Sequence, residues 1–410
     1  MSKKTFTILV IAVLAIFAIV GWYIWNRSSS NIPEETGENV QGGLFPGGTG
    51  SQGGATGGTG EGEEGDEGLV IDLGGGSSSE KPRLRQLSTS PSAGVVAFDK
   101  GETVFMRYVE RATGHIYETS DETTSSTKIS NTTLPKIHEA LWSKDGSKLL
   151  IRYLKDGIVR TFYAQLSTSS PEAALEGLFL QDGISSVSVQ GNRAFYLDET
   201  GAGAQGIVSE MNGSKKTVVF SSTFGDWDAV WSSPKAITLY SRPSGKSGGS
   251  AYLLDSATGA YTKVIGGTLG LRPLGNVDGS FVFYSGSDGA DGLASAVADV
   301  KEENSFGVGV STLSDKCVWS AKEKVSIYCA VPRFIESGLY PDDWYKGRIS
   351  FEDSFWKINV STGVTEEIFN PLSEAGVSMD IFDLSLDEKE TMLVFRNKRD
   401  MTPWAYALVP

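Results

Sequence analysis

One short stretch of the chain combines carboxylates, aromatic rings and a guanidinium, which is the chemistry of a binding loop. Its candidate binding residues are Asp342, Asp343, Trp344, Tyr345 and Arg348. Aromatic and arginine side chains on exposed loops are frequent anchors of recognition. We therefore predict that this stretch binds a protein partner or a glycan, with catalysis as a further alternative. The structural alternative is that Tyr340, Trp344 and Tyr345 fold back and cover the protein beneath them.

The only two cysteines of the chain, Cys317 and Cys329, are placed to face each other across a hairpin. A turn centred on Glu323 pairs residues whose numbers add up to 646, and these two satisfy that condition. Directly opposed residues in antiparallel strands are close enough for a disulfide. We predict this disulfide. The alternative is a pair of reduced thiols, and a one-residue bulge would place the two side chains on opposite faces.

Other patterns that resemble catalytic or ligand motifs lack the residues that the chemistry requires. Two His and two Cys are too few for multi-His zinc sites, zinc ribbons or iron–sulfur clusters. Residues 201–206 match G-x-G-x-x-G, but no helix follows. Residues 245–249 match G-x-S-x-G, but His115 and His138 both precede that serine, whereas such hydrolases need a later His. We predict no catalytic residues, no metal site and no cofactor.

The elements that position these residues recur about every 44 residues. Apolar strands ending in an aromatic residue recur at intervals of 45, 43, 44, 44, 44 and 67 residues, at Tyr108, Tyr153, Tyr196, Tyr240, Tyr284, Tyr328 and Phe395. Each repeat contains four short strands, which is typical of a β-propeller blade. We predict an all-β, seven-bladed propeller over residues 81–410, with the recurring aromatic residues packed between blades. The sixth repeat is longer, and its extra residues, 332–353, contain the candidate binding loop.

The two ends of the repeat region predict how the ring closes. The last repeat has three strands and lacks a fourth, whereas a spare strand, residues 82–88, precedes the first repeat. Pairing the spare strand with the last repeat would leave no open sheet edge. We therefore predict that the N-terminal strand completes the seventh blade.

The motif around Trp142, Ser143, Asp145 and Gly146 resembles the repeat of TolB-like (WD-repeat-like) β-propellers. The resemblance is clear in the second repeat, is degenerate in the others and extends over residues 82–410 at the level of the fold. That family includes periplasmic interaction proteins and the propeller caps of peptidases. The resemblance implies a propeller and leaves the function open.

The N-terminal segment has the properties of a membrane anchor. Residues 6–25, from Phe6 to Trp25, contain no charge and would span about 30 Å as a helix. Lys3 and Lys4 precede the segment and several aromatic residues close it. We predict a signal anchor over residues 1–27, with the N-terminus inside the cytoplasmic membrane and the propeller outside. A cleaved signal peptide is the alternative.

Residues 28–80 predict a disordered tether between the anchor and the propeller. They are rich in glycine and contain ten acidic residues without a lysine or arginine. Such a composition cannot bury enough apolar surface to offset the entropy of ordering. Its average end-to-end distance would be about 40 Å.

Together these features predict a membrane-tethered, extracytoplasmic interaction or scaffold module rather than an enzyme. Its partner is expected to be an extracytoplasmic protein, and the net charge of −14 argues against nucleic acid. Two alternatives stay open: a glycan-binding or hydrolytic propeller with a site at the channel face, and a structural subunit of an envelope or pilus-like machine.

Overall fold

The computed structural model describes residues 82–166 and 175–408, which form seven four-stranded antiparallel sheets. From the innermost strand outwards, the first four blades consist of β2 (Ser92–Lys100), β3 (Thr103–Glu110), β4 (Ile116–Ser120) and β5 (Thr127–Ser130); β6 (Ile137–Trp142), β7 (Lys148–Lys155), β8 (Ile158–Gln165) and β9 (Glu176–Phe179); β10 (Ile184–Gln190), β11 (Arg193–Thr200), β12 (Gly203–Glu210) and β13 (Thr217–Ser222); and β14 (Trp227–Val230), β15 (Ala236–Ser241), β16 (Gly248–Asp255) and β17 (Tyr261–Leu269).

Blades 5 to 7 have the same order. They consist of β18 (Arg272–Gly275), β19 (Phe281–Ser287), β20 (Leu293–Asp299) and β21 (Asn304–Gly307); β22 (Cys317–Trp319), β23 (Ser326–Pro332), β24 (Asp353–Asn359) and β25 (Thr365–Phe369); and β26 (Ile381–Leu386), β27 (Met392–Asn397), β28 (Pro403–Ala407) and β1 (Leu84–Gln86). Innermost strands of neighbouring blades contact one another, as β2 does with both β6 and β26. The predicted seven-bladed propeller is confirmed.

The N-terminal strand closes the ring, as predicted. β1 pairs antiparallel with β28, so that Leu84 lies opposite Tyr406 and Gln86 opposite Trp404. Arg83 strengthens the joint, because its guanidinium donates to the carbonyl of Ala407 and lies over the ring of Tyr406. The first and last segments of the ring therefore share one sheet, and the outer edge of β28 is paired.

The turn between the first two strands of blade 2 follows from its sequence. The hydroxyl of Ser143 donates to Asp145 (2.6 Å), and the same carboxylate accepts the backbone N–H of Ser147 (3.1 Å). Gly146 lies at a φ of +66°, in the left-handed region that favours glycine. These contacts reverse the chain within a few residues and set the register of β6 against β7.

The recurring aromatic residues all lie on the second strands of their blades and supply much of the core. Six of them are buried and Tyr284 is half-buried. Each blade packs its apolar faces against its neighbours, so that the core is a series of clusters between blades. The first strand's edge is left to line the central channel.

In the part of the chain that the structure describes, three short helical segments interrupt the strands: a 3-10 turn (Ser314–Lys316), α1 (Asp342–Tyr345) and α2 (Pro371–Ala375). Within the described ranges, no helix is long and apolar enough to cross a membrane. The predicted anchor, residues 1–27, and the predicted tether, residues 28–80, lie outside the described residues.

Candidate interaction face around the channel mouth

The chain enters each innermost strand from the same face of the ring, which we call the insertion face. The turns between second and third strands lie on the same side, because the strands of a blade alternate in direction. In blade 6 that connection is residues 333–352, which we call the insertion. The predicted position of the extra residues, between the second and third strands of the sixth repeat, is therefore the observed one.

A buried ionic cluster fastens the insertion to the ring. The ammonium of Lys316, which directly precedes β22, lies 2.7 Å from Asp353 and 2.6 Å from Asp380. All three side chains are inaccessible to solvent. Asp353 is where the insertion returns to the blade, and Asp380 leads into β26. The cluster thus joins the insertion to the entry points of blades 6 and 7.

The pKa values of the two carboxylates in this cluster are shifted in opposite directions. Burial, together with the negative charge of Asp380, raises the pKa of Asp353 to about 6 despite the nearby Lys316. Burial also acts on Asp380, but Lys316 and hydrogen bonds from Phe351 N–H and the Trp344 indole hold its pKa below the usual range. Asp380 is therefore the permanent anion of the cluster, whereas Asp353 can take up a proton in mild acid.

Trp344 belongs to this anchor, which corrects the prediction that it is an exposed contact residue. Its indole N–H donates to both oxygens of Asp380 (3.1 Å each), and only 2% of its surface is exposed. The ammonium groups of Lys316 and Lys398 lie over its ring at 5.2 and 4.8 Å. Tyr340 is also buried. For these two residues the packing alternative describes the structure, because the indole N–H satisfies a buried carboxylate.

The two predicted aspartates hold the backbone of the insertion. Asp342 accepts the N–H of Gly245 in the corresponding turn of blade 4 (2.7 Å). Asp343 accepts a hydrogen bond from the backbone N–H of Leu339 (2.9 Å) and forms an ion pair with Arg348 (3.0 Å). Their carboxylates are thus used within the protein, and Arg348 keeps most of its side chain exposed.

The insertion lies across several blades. Gly338 N–H donates to the backbone carbonyl of Asp291 in blade 5, and Arg399 of blade 7 donates to the carbonyl of Phe351 (2.8 Å each). Glycines make room for it in blade 4: a Cβ at Gly245 or at Gly270 would lie 2.6 or 2.2 Å from the Tyr340 carbonyl oxygen. The insertion therefore covers the side of the face formed by blades 4 to 7.

Tyr345 links the insertion to a chain of polar contacts along blades 6, 5 and 4. Its hydroxyl donates to Asp315 (3.0 Å), while 44% of the side chain stays exposed. Arg272 donates to the same Asp315 (3.0 Å) and lies 3.7 Å from Asp228 of blade 4. Burial acts to lower the pKa of Arg272, but these carboxylates outweigh it, so that the pKa is raised above its ordinary value. The chain runs from blade 6 through blade 5 to blade 4.

The other side of the mouth, formed by blades 7, 1, 2 and 3, is built differently. The innermost strand of each of these blades begins with a β-bulge, whereas the pairing of β14, β18 and β22 is regular. Bulges redirect side chains and are common beside functional sites. Gly94 in the blade 1 bulge permits a close approach, since a Cβ there would lie 2.1 Å from Ala140 O.

Arginines join these bulged blades to one another. Arg396 pairs with Asp383 (2.8 Å) and donates to Ser92 O of blade 1 (2.9 Å). In blade 2, Arg152 pairs with Glu139 (2.9 Å) and donates to Ile184 O of blade 3 (3.1 Å). Sequence reasoning did not single out these arginines, although each directly follows an apolar run in a second strand.

The cysteines lie in blade 6 below the insertion. Cys317 in β22 is opposite Cys329 in β23, in the register expected from their numbering. The structure joins their sulfur atoms in a disulfide with a Cα–Cα distance of 4.1 Å. Within residues 82–166 and 175–408, no group of three or more His, Cys, Asp or Glu side chains is arranged to hold a metal ion.

Comparison with known proteins shows a likeness of fold. No protein-family model and no curated protein matches the sequence. Among solved structures, an oligogalacturonate lyase in complex with manganese is similar, with a TM-score of 0.53 and 10% identity over 85% of this chain and 99% of that one. The oligogalacturonate lyase of Vibrio parahaemolyticus gives 0.50 and 11% over the same shares.

TolB from Acinetobacter baumannii also matches, at 12% identity over 67% of this chain and 63% of that one. Its TM-score of 0.43 is too low to add to the result. The propeller fold that the TolB-like repeat implies is present in this chain, and at these identities the likeness concerns the fold alone.

Proposed function

We propose that this chain is a membrane-tethered, extracytoplasmic propeller that binds a protein partner through the insertion. The main support for the proposal is that the insertion is fixed to the ring by many contacts and still exposes aromatic and arginine side chains. Phe334 is 73% exposed and Tyr345 is 44% exposed, and Arg348 in the same loop is exposed as well. A phenylalanine directed into solvent gains nothing in the free protein, and such residues are typical interface anchors.

The contacts beneath these residues favour binding because they fix the loop in advance. Tyr345 is held by Asp315 and Arg348 by Asp343, and Trp344, which directly precedes Tyr345, is buried. A loop that is already ordered loses less conformational entropy when a partner binds. The packing role of Trp344 and the contact role of its neighbours therefore support each other.

The membrane tether and the outward orientation rest on the sequence. Lys3 and Lys4 before the apolar segment and the acidic tract after it favour an outside propeller. Protease added to intact spheroplasts should then remove the residues beyond the tether. Full protection of the propeller would contradict the orientation.

The partner-binding proposal is tested by comparing two sets of substitutions in the full chain. The first set is Phe334→Ala, Tyr345→Ala and Arg348→Ala on the insertion. The matched control is Val364→Ala, Glu366→Ala and Glu367→Ala, all exposed residues at the opposite end of the same blade. After cross-linking in native membranes, we expect the first set to lower recovery of the bound protein about tenfold and the control to leave it unchanged.

Equal recovery from both variants would contradict a role for the insertion. Equal loss from both would also contradict it, since the effect would then be general. Melting curves of the two variants show whether the ring is intact in each.

A second candidate function, glycan binding, is favoured by an aromatic cluster between blades 3 and 4. Trp227 lies at its centre and meets Phe220, Phe224 and Tyr252 edge-on, with ring centroids 5.4 to 5.8 Å apart. Tyr261 extends the cluster, and both it and Phe224 are 56% exposed. Sugar rings stack on exposed aromatic rings of this kind. Soluble oligosaccharides that quench the tryptophan fluorescence of the native chain, but not of a Trp227→Phe variant, would support this alternative.

A further inference from the structure

The bulged side of the channel mouth carries three arginines, one from each of three consecutive blades. Arg111, Arg152 and Arg396 belong to the consecutive blades 1, 2 and 7. Each donates to a carbonyl at the entry of the next blade: Ile137, Ile184 and Ser92 respectively. The same bonding pattern therefore brings three guanidinium groups to neighbouring positions around the mouth.

Only two of these three arginines have a carboxylate partner among the described residues. Arg152 pairs with Glu139 and Arg396 with Asp383. Arg111 uses its Nε on the Ile137 carbonyl (3.1 Å), and no bond of its two Nη groups is recorded within the described ranges. The side chain as a whole is half-buried. In addition, the buried Nε of Arg152 has no hydrogen-bond partner among residues 82–166 and 175–408.

His138 stands beside Arg111 and is presented by the backbone. It is the extra residue of the blade 2 bulge, between Ile137, whose carbonyl Arg111 bonds, and Glu139. Its side chain is exposed. A bulge residue leaves the regular alternation of the strand, and here it places an imidazole at the mouth rather than in the packing between blades.

Burial and neighbouring arginine charges act in the same direction on both groups. Partial burial and the charges of Arg152 and Arg111 lower the pKa of His138. Burial and the charge of Arg396 lower the pKa of Arg111. The nearby carboxylates are engaged elsewhere: Glu139 with Arg152, Asp383 with Arg396, and Glu110 with the hydroxyl of Thr113.

We propose that Arg111 and His138 form a binding site for an oxyanion at the channel mouth. The two free Nη groups of Arg111 form a planar fork that matches two oxygens of a carboxylate or a phosphate. The imidazole donates a further hydrogen bond and, once protonated, a charge. Occupancy therefore increases as the pH falls through the pKa of His138. The site is separate from the insertion and does not depend on the proposed protein partner.

The chain contains only two histidines, which permits a direct test. In the full chain labelled with ¹³C at histidine Cε1, NMR follows the titration of His138 and of His115 as an internal control. Sodium acetate and inorganic phosphate are added in separate series at constant ionic strength. We expect a saturable rise of about 0.5 in the pKa of His138, because a bound anion favours the imidazolium, with His115 unchanged.

The two series distinguish the source of the anion, since a stronger response to acetate identifies a carboxylate and a stronger response to phosphate a phosphoryl group. Arg111→Gln should weaken the response about tenfold, whereas Lys128→Gln, which removes a charge from the outer strand of blade 1, should not. The melting curve of each variant confirms that it is folded. Equal responses of His138 and His115, or an unchanged response in Arg111→Gln, would overturn the proposal.

Discussion

At the scale of single residues, neighbouring side chains of the insertion have different roles: one anchors the loop to the ring and the next is exposed on its surface. Trp344 and Tyr345 are adjacent, yet Trp344 is 2% exposed and Tyr345 is 44% exposed. The Trp344 indole donates to the buried carboxylate of Asp380, whereas the Tyr345 hydroxyl donates to Asp315 at the channel mouth. Composition alone does not reveal this difference, because both residues are aromatic and both carry a hydrogen-bond donor.

Replacing Trp344 tests this division of roles. We expect Trp344→Ala to lower the free energy of unfolding by about 3–5 kcal/mol, because a buried indole and a hydrogen bond to Asp380 are both lost. Tyr345→Ala is the matched control and should cost far less, since much of its side chain is exposed. Denaturant unfolding of the two variants measures the difference. Similar losses in both would contradict an anchoring role for Trp344.

Asp353 gives the cluster a dependence on pH. Its pKa of about 6 lies above the ordinary value of 3.8, so between these values the folded state holds a proton that the unfolded state has released. The stability that this proton contributes is complete below about pH 4 and is lost as the pH rises towards 6, over a total of about 2–3 kcal/mol. Asp380, with its lowered pKa, acts in the opposite direction and mainly at lower pH.

Asp353→Asn should therefore flatten the decline in unfolding free energy between pH 4 and 6. Glu352→Gln is the control, because this neighbouring carboxylate pairs with Arg333 at the surface. Unfolding curves at several pH values provide the measurement. An unchanged decline in the Asn variant would show that another group titrates in this range.

At the scale of the elements, much of the fold could be predicted from the sequence. Regular spacing of Tyr108, Tyr153 and their counterparts marks each second strand, because each must fill the same space between blades. The helix α1 is also recognisable in retrospect, since Pro341 followed by Asp342 and Asp343 is a helix-start signal. The spare strand and the three-stranded last repeat likewise identify the seventh blade.

The bulges and the ionic cluster could not be predicted in this way. His138 and Asp383 reach the mouth because one strand has an additional residue relative to its partner, which a single-strand pattern does not reveal. Lys316, Asp353 and Asp380 are 37 and 27 residues apart in sequence and meet only because blade 6 lies beside blade 7. Such contacts depend on the tertiary arrangement.

The disulfide across β22 and β23 is testable at the same scale. We expect peptide mapping without reduction to recover Cys317 and Cys329 in one linked peptide, because they lie opposite each other in the register. The protein should be purified from its native compartment with free thiols blocked at lysis. Labelling of both cysteines as free thiols would contradict the disulfide.

At the scale of the whole molecule, ring closure joins the N-terminal strand β1 to the last blade. Deleting residues 82–88 should lower the free energy of unfolding by several kcal/mol, because β28 loses both its paired strand and the packing of Leu84. Deletion of seven residues within the glycine-rich tract, such as 50–56, is the control and should have little effect. Identical melting curves for the two deletions would contradict closure by β1.

The ring also gives the insertion face two different sides. Blades 4 to 7 carry the insertion with its exposed Phe334, whereas blades 7, 1, 2 and 3 carry bulges and arginines. The first side suits a protein surface, and the second suits an anionic group. One propeller can thus present two separate recognition surfaces around one channel.

Site-specific photo-cross-linking in intact cells tests whether the insertion contacts a protein partner outside the cytoplasm. A photoreactive amino acid replaces Phe334 in one full-length variant and Val364 in the other; the second is 63% exposed in the turn between β24 and β25, at the opposite end of blade 6. The account predicts a discrete protein adduct from position 334 and none of that mass from position 364. The same adduct from both positions, or none from position 334, would contradict it.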